Sequence, residues 1–107
     1  MNSVDLMGIA IEWLDCYQAS DLFIVDLYAD DASLLCDCDG VQELRGRAAI
    51  EAYWRQRFVE TPAGEITNLN LFDGGIIVSY RVPGGVVNAI LFFDGKGKIR
   101  RSRCALS

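Results

Sequence analysis

The amino-acid sequence predicts an α+β domain in which helices cover one face of a long antiparallel sheet. Apolar residues recur at helical spacing within residues 1–60, whereas residues 65–105 alternate short apolar runs with glycine-rich turns. Helices followed by a series of turn-separated strands are typical of this class. The chain of 107 residues contains no linker, repeat or low-complexity segment, so we expect a single domain that spans residues 1–107.

Two helices are predicted at the start of the chain. The first begins with Ser3 as its N-cap and has a broad apolar face. Its apolar positions at helical spacing are Val4, Leu6, Met7, Ala10, Ile11, Trp13, Leu14 and Tyr17. A second, shorter helix starts at Ser20 and ends near Asp30 and Asp31, and we expect it to pack against the first helix as a hairpin.

A β-hairpin and a third helix follow. Residues 32–38 are predicted as a strand, Asp39 and Gly40 as the turn, and residues 41–44 as the return strand. The third helix covers residues 47–60.

The rest of the chain predicts a meander of antiparallel strands. The strands cover residues 65–72, 76–82, 86–93 and 98–105. The segment 86–93 is apolar on both faces, which a strand with one solvated face would not be. We therefore expect a second copy of the chain to cover the outer face of the sheet, which predicts a homodimer.

Composition and charge exclude several classes of function. Fifteen acidic residues against ten Lys and Arg leave a net charge of −5, which argues against binding to nucleic acid or to an anionic membrane. The chain contains no histidine, so it lacks the usual proton carrier at neutral pH and the commonest zinc ligand. The first residues, MNSVDLMG, do not have the pattern of a secretory signal, so we expect a cytoplasmic protein with reduced cysteines.

Three sequence segments carry a resemblance to a known family. The segments DLFIVDLYADDASL, LRGRAAIEAYWRQRF and FFDGKGKI, in this order after a first helix, resemble the nuclear-transport-factor-2-like superfamily. Within it, the chain is most similar to small bacterial members grouped with the SnoaL-like polyketide cyclases and the ketosteroid isomerases. The resemblance implies a cone-shaped curved sheet wrapped around three helices, a cavity at the wide end, and dimerisation through the outer face of the sheet.

The resemblance also implies which catalytic groups to look for. Ketosteroid isomerases use a general-base Asp, a Tyr and a protonated Asp, and these positions fall here on Cys36, Trp13 and Ala89. None of the three carries the required group, so we do not expect steroid-isomerase activity. Tyr28 and Trp54 match positions where those isomerases have pocket tyrosines. Scytalone dehydratases, which use a pocket histidine, are excluded because the chain has none.

Cys36 and Cys38 share one face of the predicted strand because side chains alternate along it. The open interpretations are a metal or redox pair, a nucleophilic thiol at Cys36, and small apolar residues that line a pocket. Structural zinc sites favour cysteine pairs separated by two to four residues and need four ligands, but only Cys104 is on a strand that can come near this pair. A nucleophilic thiol needs a basic neighbour, and the chain has no histidine to activate it. We therefore expect the apolar interpretation and predict no metal site and no cofactor. Asp30 and Asp31 are expected to bond local backbone amides.

The aromatic residues and the resemblance together predict a mostly apolar cavity. The expected pocket-lining residues are Trp13, Tyr17, Tyr28, Leu34, Cys36, Tyr53, Trp54, Phe58, Ala89, Leu91, Ser102 and Cys104. The expected ligand is a small apolar or weakly acidic organic molecule, with Arg100 near the mouth or Ser102 inside meeting an acidic group. The alternative is a non-catalytic homodimerisation or ligand-sensing module whose own side chains fill the cavity. An open cavity of roughly a few hundred Å³ would favour a ligand.

Overall fold

The computed structural model describes residues 5–37 and 41–106 of the chain. Its helices are α1 (Leu6–Gln18), a 3₁₀ helix (Leu22–Leu27) and α2 (Arg47–Glu60). Its strands are β1 (Tyr28–Asp37), β2 (Val41–Arg45), β3 (Ile66–Phe72), β4 (Gly75–Val82), β5 (Gly85–Phe93) and β6 (Ile99–Leu106). The predicted turn at Asp39 and Gly40, and the predicted roles of Ser3 and Cys38, fall on residues outside the described part.

The strands form one sheet in the order β2-β1-β6-β5-β4-β3. Strands β3 to β6 pair antiparallel with their sequence neighbours, which confirms the predicted meander. β1 pairs antiparallel with β2 but parallel with β6, so the sheet is mixed and the prediction of a wholly antiparallel sheet was wrong. A parallel pair needs a long crossover, and here α2 and the strands that follow it supply that connection. In the described residues β2 and β3 form the two edges, so the α+β fold is an open cone, and the predicted fold class is confirmed.

The helices cover one face of this sheet. α1 packs against β4, and α2 packs against β1 and β2. In β5 the side chains of Val87, Ala89 and Leu91 are buried beneath the helices, while the alternate positions are half-exposed. The core therefore lies between the helices and the concave face, and the opposite face of the sheet stays uncovered in a single copy of the chain.

α1 begins later than predicted. Its N-cap is Asp5, whose side chain accepts a hydrogen bond from the Gly8 amide at 3.0 Å. The buried positions of α1 are Ala10, Trp13, Leu14, Cys16 and Tyr17. Ile11 was predicted to face inward but is 44% exposed, because the buried face of α1 is narrower than the predicted apolar face.

The second predicted helix is shorter than expected. It is a 3₁₀ helix that ends at Leu27, and β1 starts at Tyr28 instead of residue 32. Asp30 and Asp31 are therefore exposed strand residues and do not end a helix. The Asp30 carboxylate pairs with the Arg47 guanidinium at 3.2 Å instead of bonding local amides. This ion pair links β1 to the first turn of α2.

Candidate ligand-binding site

A cavity of about 370 Å³ lies at the open end of the cone. Its walls are the C-terminal half of α2, the ends of β1 and β6, the start of β2 and the turn between β4 and β5. The lining residues are Cys36, Gln42, Tyr53, Gln56, Arg57, Glu60, Thr61, Val82, Pro83, Val87 and Leu106. About half of them are polar, so the lining is more polar than the sequence predicted. We refer to this space as the mouth cavity.

Arg57 is held in a fixed position on the α2 wall of the mouth cavity. Its Nε–H donates to the Tyr17 hydroxyl at 2.8 Å, and that hydroxyl donates in turn to the backbone carbonyl of Thr61. The guanidinium carbon also lies 5.9 Å from the centre of the Tyr53 ring, a cation–π distance. Burial alone would lower the pKa of Arg57, but interaction with Tyr53, Tyr17 and Tyr80 outweighs burial and raises it. The guanidinium therefore stays charged.

Cys36 and Tyr53 line the mouth cavity, and the Cys104 thiol lies next to both of them. Cys36 on β1 and Cys104 on β6 are register partners on the concave face, and both are buried. The Tyr53 hydroxyl donates to the Cys36 sulfur at 3.5 Å and lies 3.8 Å from the Cys104 sulfur. The Cys104 thiol also approaches the Leu35 carbonyl oxygen at 3.8 Å. Among the described residues there is no group of three or more metal-ligating side chains, and Cys38 lies outside them.

The tyrosine hydroxyls of the interior are neutral hydrogen-bonding groups near neutral pH. Burial raises the pKa of Tyr17, although the nearby Arg57 acts in the opposite direction. Burial also raises the pKa of Tyr53 and of Tyr80. It raises the pKa of Tyr28 to about 12. These phenols can donate hydrogen bonds, but none is poised to accept a proton as a base.

Aromatic side chains fill the cone behind the mouth cavity. The ring of Trp54 lies 5.6 Å from that of Trp13 and 4.8 Å from that of Tyr17. Tyr80 packs 5.3 Å from Tyr17 on the sheet side. The edge-to-face angles are those that aromatic pairs favour. The deep interior is therefore occupied by the protein's own side chains.

A short hydrogen-bond chain crosses this aromatic layer. The Trp13 indole donates to the Tyr28 hydroxyl at 3.2 Å, and this hydroxyl lies 3.0 Å from the Ser102 hydroxyl. All of these groups are buried. In contrast, the Trp54 indole nitrogen is buried without a hydrogen-bond partner among the described residues.

The predicted pocket-lining residues fall into two groups. Cys36 and Tyr53 line the mouth cavity, and Cys104 contacts the Tyr53 hydroxyl. The others are Trp13, Tyr17, Tyr28, Leu34, Trp54, Phe58, Ala89, Leu91 and Ser102. The apolar and aromatic members pack in the core, and Ser102 is buried beside the Tyr28 hydroxyl. A ligand role for this second group remains a prediction.

Sequence reasoning missed the polar residues of the α2 wall. Arg57 follows Tyr53 by four positions and Trp54 by three, and this spacing places it on the same inner face of the helix. The signal was therefore available in the helical spacing. The sequence predicts Val82 as the end of a strand, and nothing local marks Val82 or Pro83 as cavity residues.

Arg100 is not a residue of the mouth cavity. A β-bulge separates the register pair Phe92 and Arg101 from the pair Phe93 and Ile99, so the alternation of side chains shifts at Arg100. The Arg100 guanidinium is exposed and lies 5.8 Å from the centre of the Phe92 ring, beside Arg101 at 6.0 Å. The prediction that Arg100 faces the cavity was therefore wrong.

Comparisons with known proteins identify the fold. The chain is similar in structure to a SnoaL-like protein of unknown function from Burkholderia thailandensis, with a TM-score of 0.81, 19% identity and 99% of each chain covered. It is also similar to SalBIII, an epoxide hydrolase/cyclase-like enzyme of pyran ring formation in the polyether salinomycin. That match has a TM-score of 0.77 and 22% identity, and it covers 95% of this chain and 90% of the other. No protein-family model and no curated protein matches the sequence. The chain therefore has a SnoaL-like, nuclear-transport-factor-2-like fold, as the sequence segments predicted.

No helix in the described residues is long and apolar enough to cross a bilayer.

Proposed function

We propose that this SnoaL-like domain binds a small apolar or weakly acidic organic molecule in the mouth cavity. The observation that carries the proposal is the cavity itself, whose volume of about 370 Å³ falls within the range of small-molecule sites. Its chemistry supports the same class of ligand. Val82, Pro83, Val87 and Leu106 offer an apolar wall, and the α2 side opposite offers hydrogen-bonding groups.

One structural neighbour supports a small organic molecule as the ligand. SalBIII is described as an epoxide hydrolase/cyclase-like enzyme of polyether pyran formation, so a similar fold handles an organic molecule there. The positions matched to the isomerase catalytic groups hold Cys36, Trp13 and Ala89, none of which is a carboxylate or phenol. The proposal is therefore binding, with no reaction assigned.

The proposal is tested with a panel of small neutral and acidic ring compounds, detected by amide chemical shifts. Compounds that bind should shift the amides of Gln56 and Val87 on opposite walls of the mouth cavity. Gln56→Trp should fill the space from an exposed position of α2 and abolish binding. Arg55→Trp is the matched control, because Arg55 is the exposed neighbour outside the lining. A panel without binders, or binding that survives Gln56→Trp, would overturn the proposal.

We also propose a second candidate function, in which the domain is a homodimerisation module with a filled interior. The edge-to-face rings of Trp13, Tyr17, Trp54 and Tyr80 favour it, because they occupy the depth of the cone. The outer face of the sheet supports it further. Ile77, Ile90 and Phe92 are half-exposed there and lie on adjacent strands, where a second copy of the chain would cover them.

Sedimentation of two charged variants tests the dimer. Ile90→Lys places a charge at the centre of the outer face and should produce a monomer at concentrations where the unmodified protein is dimeric. Val59→Lys is the matched control, since Val59 is 83% exposed on α2, away from that face. A monomeric unmodified protein would refute the dimer directly, as would a dimer that tolerates Ile90→Lys.

A further inference from the structure

We propose that the ligand of the mouth cavity is an organic acid whose carboxylate pairs with Arg57 and whose apolar body lies against the β4–β5 turn. The inference rests on the proposed binding function and makes it more specific. It names the chemical group that the cavity selects and the residue that selects it.

Arg57 is placed to meet a ligand of the mouth cavity. It is half-buried and lines this cavity, whereas Arg55, two residues earlier, is exposed and lies outside the lining. A carboxylate bound in the cavity would therefore lie beside the Arg57 side chain.

The Arg57 side chain is preorganised for binding a carboxylate. The Nε–H bond to the Tyr17 hydroxyl and the contact with the Tyr53 ring fix the plane of the Arg57 guanidinium before a ligand arrives. A planar guanidinium matches the two oxygens of a carboxylate and forms charge-assisted hydrogen bonds with them. Little side-chain entropy is then lost on binding, which favours affinity.

The other groups around the cavity suit a ligand with one negative charge and an apolar body. Val82, Pro83 and Val87 form an apolar wall that suits a hydrocarbon body and not a second charge. Glu60 is the one carboxylate in the described lining; it is exposed, and it accepts a hydrogen bond from the Gln56 amide at 2.8 Å. Glu60 repels a second negative group on the ligand, so the cavity favours a monoanion over a dianion.

The experiment compares acids with their uncharged amides. We would titrate the protein with 1-naphthoate and 1-naphthamide, and with cyclohexanecarboxylate and its amide, and follow the amides of Gln56 and Val87. The members of each pair have nearly the same shape and differ in charge. Because a hydrogen bond to a charged group is stronger than one to a neutral group, each acid should bind about tenfold to a hundredfold more tightly than its amide.

Variants locate the effect at Arg57. Arg57→Gln should remove the difference between acid and amide, and Arg57→Lys should restore part of it, because lysine keeps the charge but not the planar fork. Arg55→Gln is the matched control on the same helix and should leave the difference unchanged. Glu60→Gln should strengthen binding of the acids by about twofold or more. If Arg57→Gln does not fold, the acid and amide comparison on the unmodified protein still decides the question.

The outcomes separate the two proposals. Tighter binding of the acids that disappears in Arg57→Gln supports the inference. Equal or tighter binding of the amides, with shifts at Gln56 and Val87, overturns the inference and leaves the binding function in place. Shifts confined to the second cavity, which lies beside Leu71 and Gly74, or no shifts at all, overturn both.

Discussion

The hydrogen-bond chain through Tyr28 makes a quantitative prediction about stability. The Tyr28 hydroxyl accepts from the Trp13 indole at 3.2 Å and lies 3.0 Å from the Ser102 hydroxyl. These groups are almost fully buried, so water cannot replace a lost partner. Tyr28→Phe removes only the oxygen and keeps the ring, so it isolates the contribution of these two hydrogen bonds.

The expected cost follows from the number of groups left unpaired. Each buried hydrogen bond contributes about 1 kcal/mol net, and a buried group without a partner costs about 1–3 kcal/mol, so Tyr28→Phe should destabilise by about 2–4 kcal/mol. Ser102→Ala removes one bond and should cost about 1 kcal/mol. The double variant should cost less than the sum, because both changes remove the same bond, with a coupling of about 1 kcal/mol.

Chemical denaturation followed by tryptophan fluorescence and circular dichroism measures these values. Each kcal/mol also corresponds to a lower Tm by about 4–8 °C in a domain of about this size. Ser33→Ala is the control for Ser102→Ala, since Ser33 is a half-exposed serine on β1, the strand next to β6. This control should change stability by less than about 0.5 kcal/mol. The reasoning would be refuted if Tyr28→Phe were as stable as the unmodified protein. It would also be refuted if the destabilisation of the double variant equalled the sum of the two single values, because the hydrogen bonds through Tyr28 would then not stabilise the fold.

Three further predictions concern the backbone, the phenols and the thiols. Gly75→Ala should destabilise by about 1–3 kcal/mol, because the new methyl carbon would lie 2.6 Å from a backbone oxygen of β5. Gly95→Ala, where nothing lies within 4 Å, should be tolerated, and equal stability of the two variants in thermal unfolding would contradict this. Burial raises the pKa of Tyr28 to about 12 from 10.0, so stability should fall as the pH rises above about 10. Phenolate absorbance should then appear together with unfolding, and an ordinary titration of all four tyrosines in the folded protein would refute it. Burial and nearby carboxylates raise the pKa of Cys16 to about 11, whereas Cys36 lines the mouth cavity, so iodoacetamide should label Cys36 faster. Equal slow labelling, measured by mass spectrometry, would exclude a reactive Cys36.

Part of the candidate site was predictable from local pattern, and part was not. Tyr53 was predicted as a lining residue from the aromatic residues and the family resemblance, and the structure places it on the wall of the mouth cavity. Arg57 shares a face of α2 with Tyr53, but a charged residue near the end of a helix is usually solvated, so helical spacing alone did not single it out. Val82 and Pro83 reach the cavity only because the tertiary fold brings the β4–β5 turn and the end of α2 to the same cavity.

The sequence by itself determined the elements whose signals are local. The bounds of α2 at residues 47–60 and the order of strands β3 to β6 follow from helical spacing and from glycine-containing turns, which act within a few residues. Tertiary structure decided the rest. β1 lies parallel to β6, and it starts at Tyr28 because its register with Ile99 begins there, far away in the sequence. The side chains of Trp13, Tyr17 and Trp54 fill the depth of the cone, so the open space is confined to its mouth. Such packing brings together side chains from separate elements, and no local sequence pattern specifies it.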